Sequence, residues 1–325
     1  MGMDSIKKYQ ELINKNLNEE LIGNSPENLY APIKYVLKIG GKRLRSALCL
    51  MACEMFSGDY QQAIKPALAL EIFHNFTLLH DDIMDDAPVR RNKTTVHKKW
   101  DSNIALLSGD AMSIIAYKYI AQTPVQLNQC LEVFNDTALK ICEGQQLDMD
   151  FENNINVTIK DYIYMISLKT AVFIACSLKI GAIIGGANAK DSQLIYDAGY
   201  NIGLAFQLQD DLLDTYGEKN KFGKQIGGDI ISNKKTFLLI NALQSANKQQ
   251  HEELISRLSI KNSDPNEKIK TFIDIYNNLN VKDETLNQIN NYLELAITDI
   301  NDISINSNSK ESLYQFVDYI RNRNH

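Results

Sequence analysis

The chain has 325 residues, 44% of them apolar and 23% charged, and its 34 Lys and Arg against 40 Asp and Glu give a formal net charge of −6. Those are the proportions of an ordinary globular protein, long enough to bury a sizeable core. The acidic balance excludes a nucleic-acid binder, whose footprint is a basic domain, so any anion site has to be local.

No uninterrupted apolar run reaches the roughly 18 residues of a membrane span, and residues 1–24 are polar and charged, without the apolar region of a signal peptide. A cytoplasmic protein with no membrane span is therefore expected. Cys49, Cys53, Cys130, Cys142 and Cys176 form no Cys-x-x-Cys pair and lie in apolar helical contexts, which suits reduced core thiols.

Apolar periodicity predicts helices at about 4–22, 27–38, 43–57, 66–86, 103–121, 125–150, 158–184, 190–216 and 232–246, with a smaller helical set after Pro265. Glycine and proline mark the breaks, at Gly40-Gly41, Gly58, Pro88, Pro124, Gly185-Gly186 and from Gly217 to Gly228. No linker or shift of composition divides the chain, so residues 1–325 read as a single all-α domain, a helical bundle. The Asn-, Asp-, Ser- and Lys-rich stretch from Lys261 to Ser309 reads as peripheral helices.

Two acidic sets interrupt this apolar pattern. Leu78-Leu79-His80-Asp81-Asp82-Ile83-Met84-Asp85 is echoed 129 residues later by Leu208-Gln209-Asp210-Asp211-Leu212-Leu213-Asp214. In each set carboxylates fall at i, i+1 and i+4, so the first and last share a helix face about one turn apart. Stacked carboxylates repel and are disfavoured as anions inside a bundle unless a cation sits between them. Hard oxygen donors without accompanying His or Cys point to Mg2+, which binds a few carboxylates together with water and substrate phosphate.

If the acids hold metal for a polyphosphate, cationic groups must meet the phosphates. Gly40-Gly41-Lys42-Arg43-Leu44-Arg45 places long cations in a glycine turn that opens a helix, where backbone N–H groups and the helix dipole favour an anion. Arg90-Arg91 follows the first acidic set and supplies bidentate phosphate donors. Lys169-Thr170 lies in an apolar helix, and Lys224, Lys234 and Lys235 follow the second acidic set.

These motifs, with His74-Asn75-Phe76-Thr77 before the first acidic set, Gly109-Asp110-Ala111, Glu143-Gly144-Gln145, Phe206-Gln207 and Gly223 to Asp229, resemble in order the trans-isoprenyl diphosphate synthases, or polyprenyl synthetases. The match runs from about residue 30 to 245. The resemblance implies an all-α isoprenoid-synthase bundle around a central cavity with three Mg2+ ions, usually as a homodimer. It also implies that isopentenyl diphosphate is joined to an allylic diphosphate. By position, Asp81, Asp85 and Asp210 would ligate metal, with Asp82, Asp211 and Asp214 in support. Lys42, Arg45, His74 and Arg91 would hold isopentenyl diphosphate; Arg90, Lys169, Thr170, Gln207 and Lys224 would hold the allylic substrate, and Lys234 would also bind substrate. Two positions depart from the family pattern: Asn92 stands where Arg-Arg-Gly is usual, and Ser46 where proline is common after Gly-Lys-Arg-Leu-Arg.

Phe76, five residues before Asp81, lies about 7.5 Å along the helix from the metal. In the family a large residue there limits product length, and with Thr77 beside it the pattern resembles geranylgeranyl diphosphate synthases, with a farnesyl product as the alternative. Three further readings compete. Glu71-Ile72-Phe73-His74 has the spacing of a ferritin-like di-metal bundle, which needs a second Glu-x-x-His that the chain lacks. A non-catalytic subunit of a heteromeric synthase should have lost acidic ligands, and none is lost. Terpene cyclases share the first aspartate motif but have no use for Lys42 and Arg45.

Overall fold

Helix follows helix through the computed structural model, which describes residues 4–19, 23–152, 154–217, 227–260 and 264–323. The first elements are α1 (Asp4–Glu19), α2 (Glu27–Ile39), α3 (Leu44–Ser57) and α4 (Ile64–Met84). A two-stranded hairpin, β1 (Val89–Arg90) with β2 (Lys93–Thr94), leads to α5 (Val96–Lys99), α6 (Ser102–Ile120) and α7 (Leu127–Glu152). After α8 (Ile159–Ile166) comes a π-helical segment, Ser167–Ala171, then α9 (Val172–Ile184) and α10 (Ala189–Tyr216). The chain ends with α11 (Gly228–Ile231), α12 (Phe237–Ser245), α13 (Lys248–Ser259), α14 (Pro265–Asn278), α15 (Val281–Asp302) and α16 (Ser307–Arg321).

The all-α expectation holds, and the differences have local causes. The helix expected from 232 starts at Phe237 because Thr236 is extended and its hydroxyl accepts from the Leu239 N–H at 3.4 Å, an N-cap. Helix α13 was not expected; Asn247 and Gln250 form a reciprocal capping box at its start. The stretch 158–184 is helical but changes to π pitch in its middle. The region after Pro265 is more than peripheral: Phe272, Tyr276, Leu293 and Ile300 are buried, as are Leu313 and Phe316 of α16. Residues 20–22 of the first expected helix lie outside the described residues.

The chain packs as two compact units. The first comprises Met1–Asp136, Ile174–Tyr196 and Asp302–Phe316, and the second Thr137–Phe173, Asp197–Asn301 and Val317–His325. In the first, α4 packs most extensively against α6, with α3 set against α1 and α4. In the second, α12 packs on α8 and α14, and α14 also meets α11 and α13.

The run Ile159–Ile184 is long and apolar enough by composition to cross a membrane, but 89% of its most apolar window is buried in the protein, as in a core helix. Cys49, Cys53, Cys130 and Cys176 are buried free thiols as expected, whereas Cys142 lies on the exposed side of α7, a correction to its core assignment. Burial, with Cys53 nearby, pushes the Cys49 thiol well above its usual pKa.

Candidate active site

The basic turn 40–45 divides into a buried brace and an outward pair. Gly40 and Gly41 have φ of +86° and +154°, and Arg43 is left-handed at +44° as the N-cap of α3. That backbone turns the Arg43 side chain inward. Its Nη1 meets Glu71 Oε1 at 2.8 Å, Nε donates to Asn14 Oδ1 at 3.0 Å and Nη2 to the Leu37 carbonyl at 2.6 Å. Glu71 also accepts from Ser46 Oγ at 3.0 Å and from Asn75 Nδ2 at 2.9 Å. The brace explains Ser46, a hydroxyl donor where the family commonly has proline, and it removes Arg43 from the cations available to an anion. It also occupies Glu71, the residue that raised the di-metal reading.

Lys42 is exposed, and Arg45 Nη1 lies 3.2 Å from His74 Nε2. Burial, followed by the guanidinium groups of Arg45 and Arg91, holds His74 well below its usual pKa. A neutral ring whose Nε2 accepts from Arg45 orients that guanidinium. Thr77 turns back to its own helix, Oγ1 donating to the His74 carbonyl at 2.8 Å.

The first acidic set closes α4. Asp85 is exposed, Asp81 half-buried, and the Asp85 N–H donates to the Asp81 carbonyl at 2.9 Å. Asp82 is buried and accepts from Arg90 Nε at 2.6 Å; burial raises its pKa while Arg90 opposes the rise. Arg90 thus holds the acidic set through Asp82. Arg91 and Asn92 form the hairpin loop with φ of +52° and +60°, between strands in the register Val89–Thr94 and Arg90–Lys93. Asparagine tolerates the left-handed region, which is why it serves where glycine is usual. Arg91 Nη1 reaches the Gly40 carbonyl, and its guanidinium lies where a side chain on Gly41 would sit, so the hairpin and the glycine turn fit together.

In the second unit Lys169 and Thr170 lie on the π-helical segment, a pitch that often accompanies functional sites. Two glycines accommodate it: a Cβ on Gly144 would collide with the Lys169 backbone, and one on Gly203 would stand 2.5 Å from Ala171 Cα. Lys169 Nζ meets Asp148 Oδ2 at 2.6 Å. Burial works against the Asp148 charge, but Lys234 and Lys169 outweigh it and keep its pKa low. Thr170 Oγ1 donates to Gln207 Oε1 at 2.9 Å, and Gln207 Nε2 donates to Asp211 Oδ1 at 3.0 Å. Asp211 also accepts from the Tyr162 hydroxyl, and burial together with Asp229 pushes its pKa up to about 7. Asp214 accepts the Asp229 N–H at 2.9 Å and fixes the Gly227–Gly228 turn.

Asp210 carries a partner that no local pattern announced: Arg323 Nη1, on a side chain 5% exposed, stands 2.5 Å from Asp210 Oδ1. The Arg323 guanidinium stacks 4.6 Å over the Phe206 ring, and its carbonyl accepts from Gln209 Nε2 at 2.9 Å. Asp148, Tyr162 and Arg323 were all absent from the sequence candidates. Lys224 lies outside the described residues. Among the described residues no three His, Cys, Asp or Glu side chains close on one point.

The family model of the polyprenyl synthetases matches residues 26–276. The chain belongs to that family. A short chain isoprenyl diphosphate synthase of Methanothermobacter thermautotrophicus is 34% identical over 99% of both chains. A geranylgeranyl diphosphate synthase of Methanosarcina mazei is 38% identical over 74% of this chain and 76% of its own. A crystal structure of a geranylgeranyl pyrophosphate synthase superposes with a TM-score of 0.93 at 41% identity, covering 98% of this chain and 99% of that one. The fold is that of the isoprenoid synthases, and this polyprenyl synthetase is a trans-prenyltransferase of the short-chain type.

Proposed function

We propose that the enzyme condenses isopentenyl diphosphate with an allylic diphosphate in the presence of Mg2+, and that its product is geranylgeranyl diphosphate. The observation that carries this reading is that each acidic set has cations set against it: Arg90 on Asp82, and Arg323 on Asp210, with Lys234 acting on Asp211. The donors fit Mg2+. Asp81 and Asp85 offer hard oxygens at the C-terminal end of α4, where the helix dipole adds negative potential and favours a cation. Asp210 already balances a guanidinium, so its carboxylate sits where positive charge is needed. Asp81, Asp85 and Asp210 are the assigned ligands for three Mg2+ ions, with Asp82, Asp211 and Asp214 holding the surrounding shell. When bound, Mg2+ takes up charge on the diphosphate leaving group.

The chain's own residues bind, orient and shield. Lys42, Arg45 and Arg91 meet isopentenyl diphosphate, with His74 aiming Arg45. Arg90, Lys169, Gln207, Lys224 and Lys234 meet the allylic diphosphate. Its C–O bond breaks, the bonding pair leaving with the diphosphate and an allylic cation remaining; the isopentenyl double bond attacks that cation, and the adduct loses a proton to the released diphosphate. The oxygens of Lys169 and Thr170 steady the cation on the π-helical segment, while apolar walls exclude the water that would quench it. Phe76 floors the tail pocket, and its aromatic ring selects a short product. Lys42→Ala or Arg45→Ala should raise the Michaelis constant chiefly for isopentenyl diphosphate, and Lys224→Ala chiefly for the allylic substrate. Steady-state kinetics with each substrate varied in turn check the assignment, which fails if all three variants weaken both substrates alike.

The enzyme is further assigned to the cytoplasm and to a homodimer. Leu106, Leu107 and Ile114 stand 50, 60 and 63% exposed along α6, an apolar surface that a second copy would cover. Sedimentation at twice the chain mass is expected, and a monomer at micromolar concentration would remove the assignment.

A further inference from the structure

Neighbouring aromatic rings hold Phe76, the residue read above as the floor of the tail pocket. Phe76 is half-buried on α4 and its ring is fixed by edge-on contacts on two sides. Phe73 stands 5.2 Å away at 64° and is itself locked by Phe134 at 5.1 Å. On the other side is His80, one turn further along α4, with ring centroids 4.7 Å apart at 69°. His80 is in turn tied to α6. Its Nε2 lies 3.1 Å from the Leu106 carbonyl, with the Asp110 carboxylate farther off at 3.9 Å. Its ring fills the place that a Cβ on Gly109 would take. Only a glycine on α6 admits the imidazole at this depth, and because a carbonyl can only accept, Nε2 carries the proton.

The Phe76 ring is therefore flanked along α4 by Phe73 and by a His80 that is itself held against α6. An aromatic side chain with two edge contacts has little freedom to tilt, and removing one contact opens a rotation that deepens the pocket. We infer that His80, pinned between the Leu106 carbonyl and Gly109, is a positioning residue for product length, acting through the Phe76 ring. The inference rests on the reading of Phe76 as the pocket floor.

The experiment separates the two. Purified wild type, Phe76→Ala, His80→Ala and the double variant are incubated with isopentenyl and farnesyl diphosphates, and products are resolved by mass with melting temperatures alongside. His80→Ala should shift products upward by at least one isoprene unit, and the double variant should go no further than Phe76→Ala alone, because both act on one wall. His80→Gln places a donor near the Leu106 carbonyl but lacks the ring; it keeps the α4–α6 tie if the alanine variant fails to fold, and it should show the same upward shift. An unchanged product spectrum in Phe76→Ala would overturn the floor reading itself. A longer product in Phe76→Ala with wild-type lengths in the His80 variants would overturn the positioning role, as would a double variant whose shift is the sum of the singles. A general loss of stability lowers turnover without lengthening products, so product mass reports positioning and not folding.

Discussion

Asp81→Ala and Asp210→Ala should each lower turnover by orders of magnitude, with the helical circular dichroism of the wild type retained. The two acids belong to separate sets 129 residues apart in the chain, and the proposal requires both for one reaction. Removing a metal ligand removes charge stabilisation of the leaving group, commonly among the largest contributions to catalysis. The two variants should differ in stability. Asp81 is half-exposed at the C-terminal end of α4, where a carboxylate opposes the helix dipole. Asp210→Ala instead strands the buried guanidinium of Arg323, so its melting temperature should fall. Rates are accordingly compared at a temperature where both variants are folded. Near-normal turnover in either one would contradict the metal assignment.

The second large effect concerns folding. Glu71→Ala leaves the buried guanidinium of Arg43 without its carboxylate and removes one acceptor each from Ser46 and Asn75, which keep the backbone carbonyls of Arg43 and of residue 71. Breaking a buried pair by deleting one partner costs about 3–5 kcal/mol, because the remaining charge stays desolvated. Glu71→Gln keeps the shape and one acceptor, so it should lose less. Because the brace anchors the backbone from which Lys42 and Arg45 extend, Glu71→Gln should also raise the Michaelis constant for isopentenyl diphosphate. Denaturant titration measures the stability change, and a loss of less than about 1 kcal/mol for Glu71→Ala would mean that the pair does not brace the turn.

The sequence made some of this legible and hid the rest for physical reasons. Helix existence followed from apolar periodicity, because each helix must bury a stripe. The two acidic sets stood out because carboxylates stacked at i and i+4 on an apolar face repel one another unless a cation meets them. Within 40–45, however, Lys42, Arg43 and Arg45 looked equivalent. Only a left-handed backbone at residue 43 and a carboxylate 28 positions away decide which of them turns inward. Arg323 was invisible as the partner of Asp210, since nothing local links residues 113 apart. The π pitch under Lys169 depends on where Gly144 and Gly203 let neighbouring backbone approach, and periodicity does not report it. Asn92 was readable, because its tolerance of left-handed backbone is local.

Condensation to a defined product can be read from a single set of incubations. Purified enzyme with isopentenyl diphosphate and Mg2+ is given dimethylallyl, geranyl or farnesyl diphosphate in turn, and the products are identified by mass. Extension of the allylic primers to a twenty-carbon diphosphate, lost when the metal is chelated, is the expected result. No condensation with any primer, or a product unaffected by chelation, would contradict the account.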